Sequence, residues 1–237
     1  MLIKQKLCSL NPSSSERLNI CIDNKQIEQV KNVRYLGVQI DENLSWQPHV
    51  NQLCKSLSFK VYSLGRLRKV LNIHLLNVLY KTIVQSCLDY CCSVWGNCNN
   101  GYTSGLVRLQ KRAARFVSGN LDFLTVHGLD LMKELSWQSL EQRRDYFLAT
   151  LMYKCIYGLA PDRLCNDVEM VFDRHGINTR NANSLKVTVP KPNLECFKRS
   201  LKYAGAQVWN SLPDILHNAT SIESFKVLYK EKYFRSN

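Results

Sequence analysis

At Pro48 the hydrophobic pattern of the chain changes period. As far as Ile40 the apolar residues tend to alternate. From Val50 they recur at Leu53, Leu57, Val61, Leu64, Leu67 and Leu71, three or four positions apart. A period of about 2 suits a pleated strand and one of about 3.6 suits a helix. Short strands must therefore come first and helices after.

Within the N-terminal part, Leu18–Ile22 alternates, Asp23-Asn24 is a turn pair, and Ile27–Val30 returns as a second strand. Val33–Ile40 alternates again, with Tyr35 and Gly37 on one parity and Leu36, Val38 and Ile40 on the other. Asn11–Glu16 is polar punctuation. The first helix is predicted from near Pro48 to near Leu71, with Lys55, Arg66 and Lys69 opposite its apolar stripe. Asn72 caps a second, His74 to Trp95, which is apolar nearly all round and so predicted to be the buried centre of a bundle.

Turn residues at Asn97–Gly101 precede a third helix, from an N-cap at Ser104 to Val117, ended by Ser118-Gly119. Two more follow, Val126–Leu135 and Ser139–Tyr157. The latter opens on Ser139-x-x-Gln142, the form of a capping box, and is closed by Gly158–Pro161. Residues 173–196 are irregular apart from a strand at Leu185–Val189, and helices at Phe197–Trp209 and Ser221–Phe234 finish the chain. The fold class is α+β, predominantly helical, with a short antiparallel β element first. The expected divisions are 1–45, 46–172 and 173–237, with a linker near 173–184.

A content of 45% hydrophobic and 22% charged residues supports a packed core rather than disorder. No window approaches the roughly 18 apolar residues of a membrane span, and Met1–Lys6 meets charge too early for a signal peptide. The expectation is an intracellular chain without a membrane partner. Its ten cysteines then read as small buried hydrophobes rather than a disulfide framework.

The net charge of +13 favours a polyanionic partner, and its distribution is uneven. Between Asn43 and Leu121 lies one acid, Asp89, against ten bases: Lys55, Lys60, Arg66, Arg68, Lys69, Lys81, Arg108, Lys111, Arg112 and Arg115. On the third helix Arg108, Lys111, Arg112 and Arg115 share an arc of roughly 100°, with Leu106, Leu109, Ala113, Phe116 and Val117 opposite. Such a stripe repels itself unless anions lie across from it, and phosphates supply them. The plainer reading is a solvated face screened by salt. Nothing resembles a base-reading module, so contact with the phosphate backbone is expected rather than sequence recognition. Reversing Arg108, Arg112 and Arg115 to Glu is expected to weaken RNA binding with little loss of fold.

Two-metal phosphoryl transfer needs clustered carboxylates, yet there is no Asp-Asp pair, and Asp23, Asp41 and Glu42 sit at turn positions. Cys87-x3-Cys91-Cys92-x5-Cys98 is the one dense cysteine cluster. Cys87 and Cys91, one helical turn apart, could share a metal, but no second pair at finger spacing follows. The five histidines, at 49, 74, 127, 175 and 217, read as surface or capping residues. Trp46, Trp95, Trp137 and Trp209 read as packing anchors before base-stacking platforms. There is no Walker-A loop and no Gly-x-Gly-x-x-Gly. No catalytic residue, metal or cofactor is assigned.

Six segments in order carry a resemblance. Val33-Arg-Tyr-Leu-Gly-Val-Gln-Ile-Asp-Glu-Asn-Leu-Ser-Trp-Gln-Pro-His49 resembles the KYLGV-x-ID-x-x-LSW-x-x-H segment of reverse transcriptases from jockey-like (LINE-type) non-LTR retrotransposons. Leu88–Gly96 resembles their Y-x-x-x-VWG and Leu109–Arg115 their LQ-x-R-x-x-R. Leu135–Arg144 is similar to L-x-W-x-x-L-x-x-RR, Tyr153–Pro161 to YK-x-x-x-G-x-x-P, and Trp209–Pro213 with Phe225-Lys226 to WN-x-LP…FK.

The resemblance implies an RNA-directed DNA polymerase derivative made of palm edge, thumb-like helical bundle and helical C-terminal extension. The family's catalytic Y-x-DD would lie upstream of Met1, so the chain alone is expected to be inactive. Tyr35, Leu36 and Gly37 would form a primer-grip-like turn, where Gly37 lets backbone pass close to a primer end. Lys55, Lys60, Arg66, Arg68, Lys69, Arg108, Lys111, Arg112 and Arg115 would track RNA or an RNA–DNA duplex. Docking onto a palm-containing chain is a further implied partnership. The alternative is a non-catalytic helical protein-interaction module, for which binding to generic duplex would show no salt dependence.

Overall fold

The computed structural model describes Leu2–Ile3 and residues 20–122, 126–171 and 185–234. Leu18 and Asn19, the Asn11–Glu16 punctuation and the 173–184 linker lie outside the described residues.

The β element consists of three two-stranded pairings. β1 (Leu2–Ile3) runs parallel to β4 (Gln29–Val30). β2 (Cys21–Ile22) and β3 (Lys25–Gln26) are antiparallel around Asp23-Asn24, both at positive φ as the turn pair suggests. Val33–Ile40 is not one alternating strand. It is a hairpin, β5 (Asn32–Tyr35) against β6 (Val38–Asp41), with Tyr35 opposite Val38. Leu36 (φ 45°) and Gly37 (φ 83°) reverse the chain between them, two positive-φ residues of the kind a tight hairpin needs. Leu36 therefore leaves the core face that its parity predicted and is 72% exposed.

α1 (Gln47–Leu67) buries His49, Val50, Leu57, Val61 and Leu64. Pro48 sits in its first turn, where no N–H is needed. The preceding loop is held by the buried Asp41, whose carboxylate accepts from the N–H of Ser45 (3.1 Å) and Trp46 (2.8 Å). That is the structural use expected for an acid at a turn.

The second predicted helix is interrupted. Asn72 does cap α2 (Ile73–Leu79), accepting from Leu75 N–H at 3.0 Å. A wider π-type turn follows over Tyr80–Gln85, then α3 (Ser86–Asp89) and, after a left-handed Cys91, α4 (Cys92–Trp95). Leu76, Tyr80, Val84, Leu88 and Cys92 are buried at four-residue intervals, and Trp95 is buried after them. On an α-helix such intervals drift by about 40° per step, and a wider turn takes back part of the drift. Ile73, Leu75 and Val78 face outward, so this segment is not buried all round.

α5 (Asn100–Ser118) starts a turn earlier than predicted, capped by Asn99, and ends at Gly119 in the left-handed conformation. α6 (Gly128–Glu134) and α7 (Leu140–Ile156) follow, α7 with the full Ser139–Gln142 capping box. The remaining α-helices among the described residues are α8 (Asp162–Cys165), α9 (Glu195–Lys198), α10 (Ala206–Asn210), α11 (Asp214–His217) and α12 (Ile222–Phe234). The predicted Phe197–Trp209 helix is split, with a π-type turn over Leu201–Gly205 between α9 and α10. The predicted strand at Leu185–Val189 is reduced to one bridge, Met170 to Val187.

Two hydrophobic clusters result. One gathers α1, α2 to α4, α5, α6 and Trp137, with Tyr80 stacked on Trp137 at 3.4 Å between ring centroids. The other gathers Tyr146 and Tyr153 of α7 with Trp209, Leu216, Phe225 and Tyr229. α7 serves both, since its Leu140 and Phe147 also pack on the first. The central role expected of the second helix belongs to α7.

Candidate nucleic-acid interface

The cationic segment is organised by the contact of α1 with α5. Two glycines let these helices approach. A Cβ on Gly65 would lie 3.0 Å from the Phe116 ring, and one on Gly105 would lie 3.1 Å from the Cys54 sulfur. Both pairs are separated by 51 positions in sequence, so the helices run parallel. Their C-terminal ends coincide, and there Arg68 Nη2 donates to Gly119 O at 2.8 Å. Helix C-termini carry partial negative charge, which favours Arg66 in the last turn of α1 and Arg115 in that of α5.

The nine expected contact residues divide into two groups. Lys55, Arg66, Lys69, Arg108 and Arg112 are exposed, as is Lys81 on the π-type turn. At about 100° per residue, Lys55 lies toward the outer side of the seam on α1, with Lys69 in the turn just past its end, and Arg112 and Arg108 flank the seam on α5. Arg108 is close enough to the Cys54 thiol to offset part of the upward shift that burial gives it.

The other four are engaged. Lys60 donates to Cys87 Sγ at 2.9 Å, and Arg68 is tied to Gly119. Lys111 packs its stem over Gly128 of α6. Arg115 is only 7% exposed and donates to the carbonyls of Asp122 (2.5 Å) and Val126 (2.8 Å). The open four-residue stripe read from the helical wheel is thus shortened to Arg108 and Arg112. Asp122 and Val126 place their carbonyls over the last turn of α5, and those carbonyls take the Arg115 guanidinium as donor. This placement also changes the expectation for the triple reversal, because Arg115 belongs to the fold.

The one acid of this region does not balance the open cations. Asp89 is held by Arg143 of α7 through two contacts of 2.5 and 2.6 Å, the fork geometry of a strong ion pair. Among the described residues, Lys55, Arg66, Lys69, Arg108 and Arg112 meet no carboxylate within ion-pair distance.

At the hairpin, Tyr35 is 63% exposed beside Leu36, and Gly37 backs onto the Tyr90 ring. Tyr90 Oη donates to Leu36 O at 2.6 Å and fixes the turn to the helical body.

Among the described residues no three His, Cys, Asp or Glu side chains converge as a metal site would require. Burial pushes the Cys92 thiol up to about 12 and raises that of Cys98, which opposes the thiolate form a metal needs. The tryptophans pack: Trp46, Trp95, Trp137 and Trp209 are all buried. Two aromatics on α1 that the sequence candidates did not include, Phe59 and Tyr62, are exposed. Their signal was available, since both fall outside the apolar arc of that helix.

Among the described residues, no helix is long and apolar enough to cross a membrane. The chain is similar to a probable RNA-directed DNA polymerase from transposon X-element of Drosophila melanogaster, 26% identical over 122 residues. The match covers 45% of this chain and 13% of that protein's length. It is a distant, partial homology to a transposon reverse-transcriptase-like protein. No family model matches. No solved structure matches.

Proposed function

We propose that this chain is the thumb-like, nucleic-acid-holding part of a jockey-like non-LTR retrotransposon reverse transcriptase. In this reading the strands up to Asp41 are the palm edge and α1 to α5 the thumb. Lys55, Arg66, Lys69, Arg108 and Arg112 hold the phosphates of RNA or an RNA–DNA duplex without reading bases. One observation carries it: five cations share the outer side of a parallel helix pair, without acidic partners among the described residues. The polymerase named in the matched relative supplies the nucleic-acid context. The Tyr35-Leu36-Gly37 turn is the primer-grip-like element of the same reading.

A salt titration of binding to generic RNA–DNA duplex tests it. Five neutralised phosphates imply a slope of log K against log salt of about −4.5. The double reversal Arg108→Glu/Arg112→Glu should reduce that slope by about 2. A slope near zero would transfer the face to the second reading, a protein-interaction module. That reading has an observation of its own: Val70, Ile73, Leu75 and Val78 form an exposed apolar run around the start of α2.

A further inference from the structure

Phe59 is 74% and Tyr62 61% exposed, in the middle of the longest helix. Single exposed apolar residues are ordinary, but these two are not scattered. Lys55, Phe59, Tyr62, Arg66 and Lys69 follow one another at intervals of four, three, four and three. On an α-helix that spacing confines the first four to an arc of about 60°, and Lys69 follows in the turn just past the end of α1. All five are exposed, and the arc lies away from Val50, Leu57, Val61 and Leu64. α1 therefore carries a second seam, opposite its buried one, in which two aromatic faces are bracketed by cations.

We infer that this seam is a stacking track for single-stranded nucleic acid, with bases on Phe59 and Tyr62 and phosphates on Lys55, Arg66 and Lys69. The inference rests on the nucleic-acid reading above and narrows it to a strand form. Cations alone would serve a duplex equally well, but projecting aromatic rings would not. Paired bases hide their faces in the stack, and reaching them means unstacking a step. Unpaired bases offer those faces freely, and stacking on them tolerates any sequence. The charge excludes the usual alternative for an exposed heptad-like seam, a self-complementary coiled coil, because three like charges would face their own copies. Side chains three or four apart on a helix stand about 5–6 Å apart, so neighbouring bases can occupy Phe59 and Tyr62. From Lys55 to Arg66 the helical part of the track is about 16 Å long, and Lys69 in the turn beyond extends it to the order of four nucleotides, the low end of single-strand sites. Ser58 and Ser63 beside it bond back to Cys54 O and Phe59 O, so neither hydroxyl competes for the phosphates.

The test is binding of a fluorescent oligouridylate and of a matched RNA–DNA duplex to the full chain by anisotropy. Phe59→Leu and Tyr62→Leu keep an apolar surface and remove the ring, and both sites are exposed, so helicity should be unchanged. Each should weaken oligouridylate binding about tenfold, leave its salt slope unchanged and leave duplex affinity unchanged. Lys55→Gln and Arg66→Gln should instead each lower the slope by about 0.7, the single-strand increment. If the leucine variants bind oligouridylate like the parent chain, the stacking track is wrong, even where duplex binding retains its salt dependence. If the rings instead govern capture of an acidic peptide or of phosphatidylserine vesicles, and oligouridylate does not bind, the track belongs to another partner and the inference falls. Failure of duplex and single strand alike would remove the nucleic-acid reading itself.

Discussion

Arg112 and Arg115 lie one helical turn apart on α5 and do different work. Arg112 projects into solvent, while the Arg115 guanidinium is buried on the carbonyls of Asp122 and Val126. Removing it deletes two charge-assisted hydrogen bonds from a buried guanidinium to part-buried carbonyls, at roughly 1.5–3 kcal/mol each. Arg115→Ala should therefore lower the denaturant midpoint clearly. Arg108→Glu/Arg112→Glu should change the unfolding free energy by no more than about 0.5 kcal/mol while weakening nucleic-acid binding. Equal destabilisation by the two would contradict the division. His49 gives a second prediction at this scale. It is buried beside Trp95, ring centroids 5.4 Å apart, and its Nδ1 accepts from Gln39 N–H. Burial lowers its pKa below the ordinary value. The folded protein then binds this proton less readily than the unfolded chain, so stability is retained above about pH 6.5 and falls on acidification below it. The melting temperature should drop between neutral pH and the mid-fives, and His49→Gln should flatten that part of the profile. An identical profile in the variant would exclude His49 as its source.

Elements here are positioned by close approaches as much as by apolar stripes. α6 meets α5 where Gly128 lies against the Lys111 stem, and a Cβ at 128 would come within 2.8 Å of Lys111 Cβ. Neither atom is the free end of a side chain, so backbone must yield. Gly128→Ala should cost about 1–3 kcal/mol, the usual range for overpacking. Unchanged urea unfolding would mean that α6 is less tightly seated than its packing implies. The segment from Ile73 to Trp95 shows how an element can be recognised and still misplaced. Its content of Leu, Ile and Val predicts burial, and its buried residues do recur regularly. A four-residue interval nevertheless needs a π-type turn, and Cys91 breaks the path before Trp95. Trp95 Nε1 closes that break by donating to Tyr90 O at 2.8 Å. α7 was predicted as one helix among several, yet both faces are covered because segments that precede it and segments that follow it in sequence pack on it.

In the whole molecule the residues that carry the family resemblance mostly hold distant segments together. Gln110 bridges Tyr80 Oη (3.0 Å) and Gln138 O (2.9 Å), and Arg143 of α7 grips Asp89. Trp209 donates to Leu185 O at 2.7 Å, while the Asn210 amide exchanges two hydrogen bonds with Val187 (2.9 and 2.7 Å). Asn210→Ala removes that pair and should lower stability by about 1–3 kcal/mol, with faster amide exchange at Val187 than at Leu57. Protection at Val187 unaltered by the substitution would rule out the clamp. The fold class and the passage from short strands to helices were legible in the sequence, as were the caps at Asn72, Ser139 and Gly119, because period and capping act within a few residues. The reversal at Leu36-Gly37, the central place of α7 and the choice of which cations face outward were not. Each depends on what remote segments lay across a surface. A helical wheel knows the direction in which Arg115 leaves its helix, and only the folded chain puts two carbonyl oxygens there.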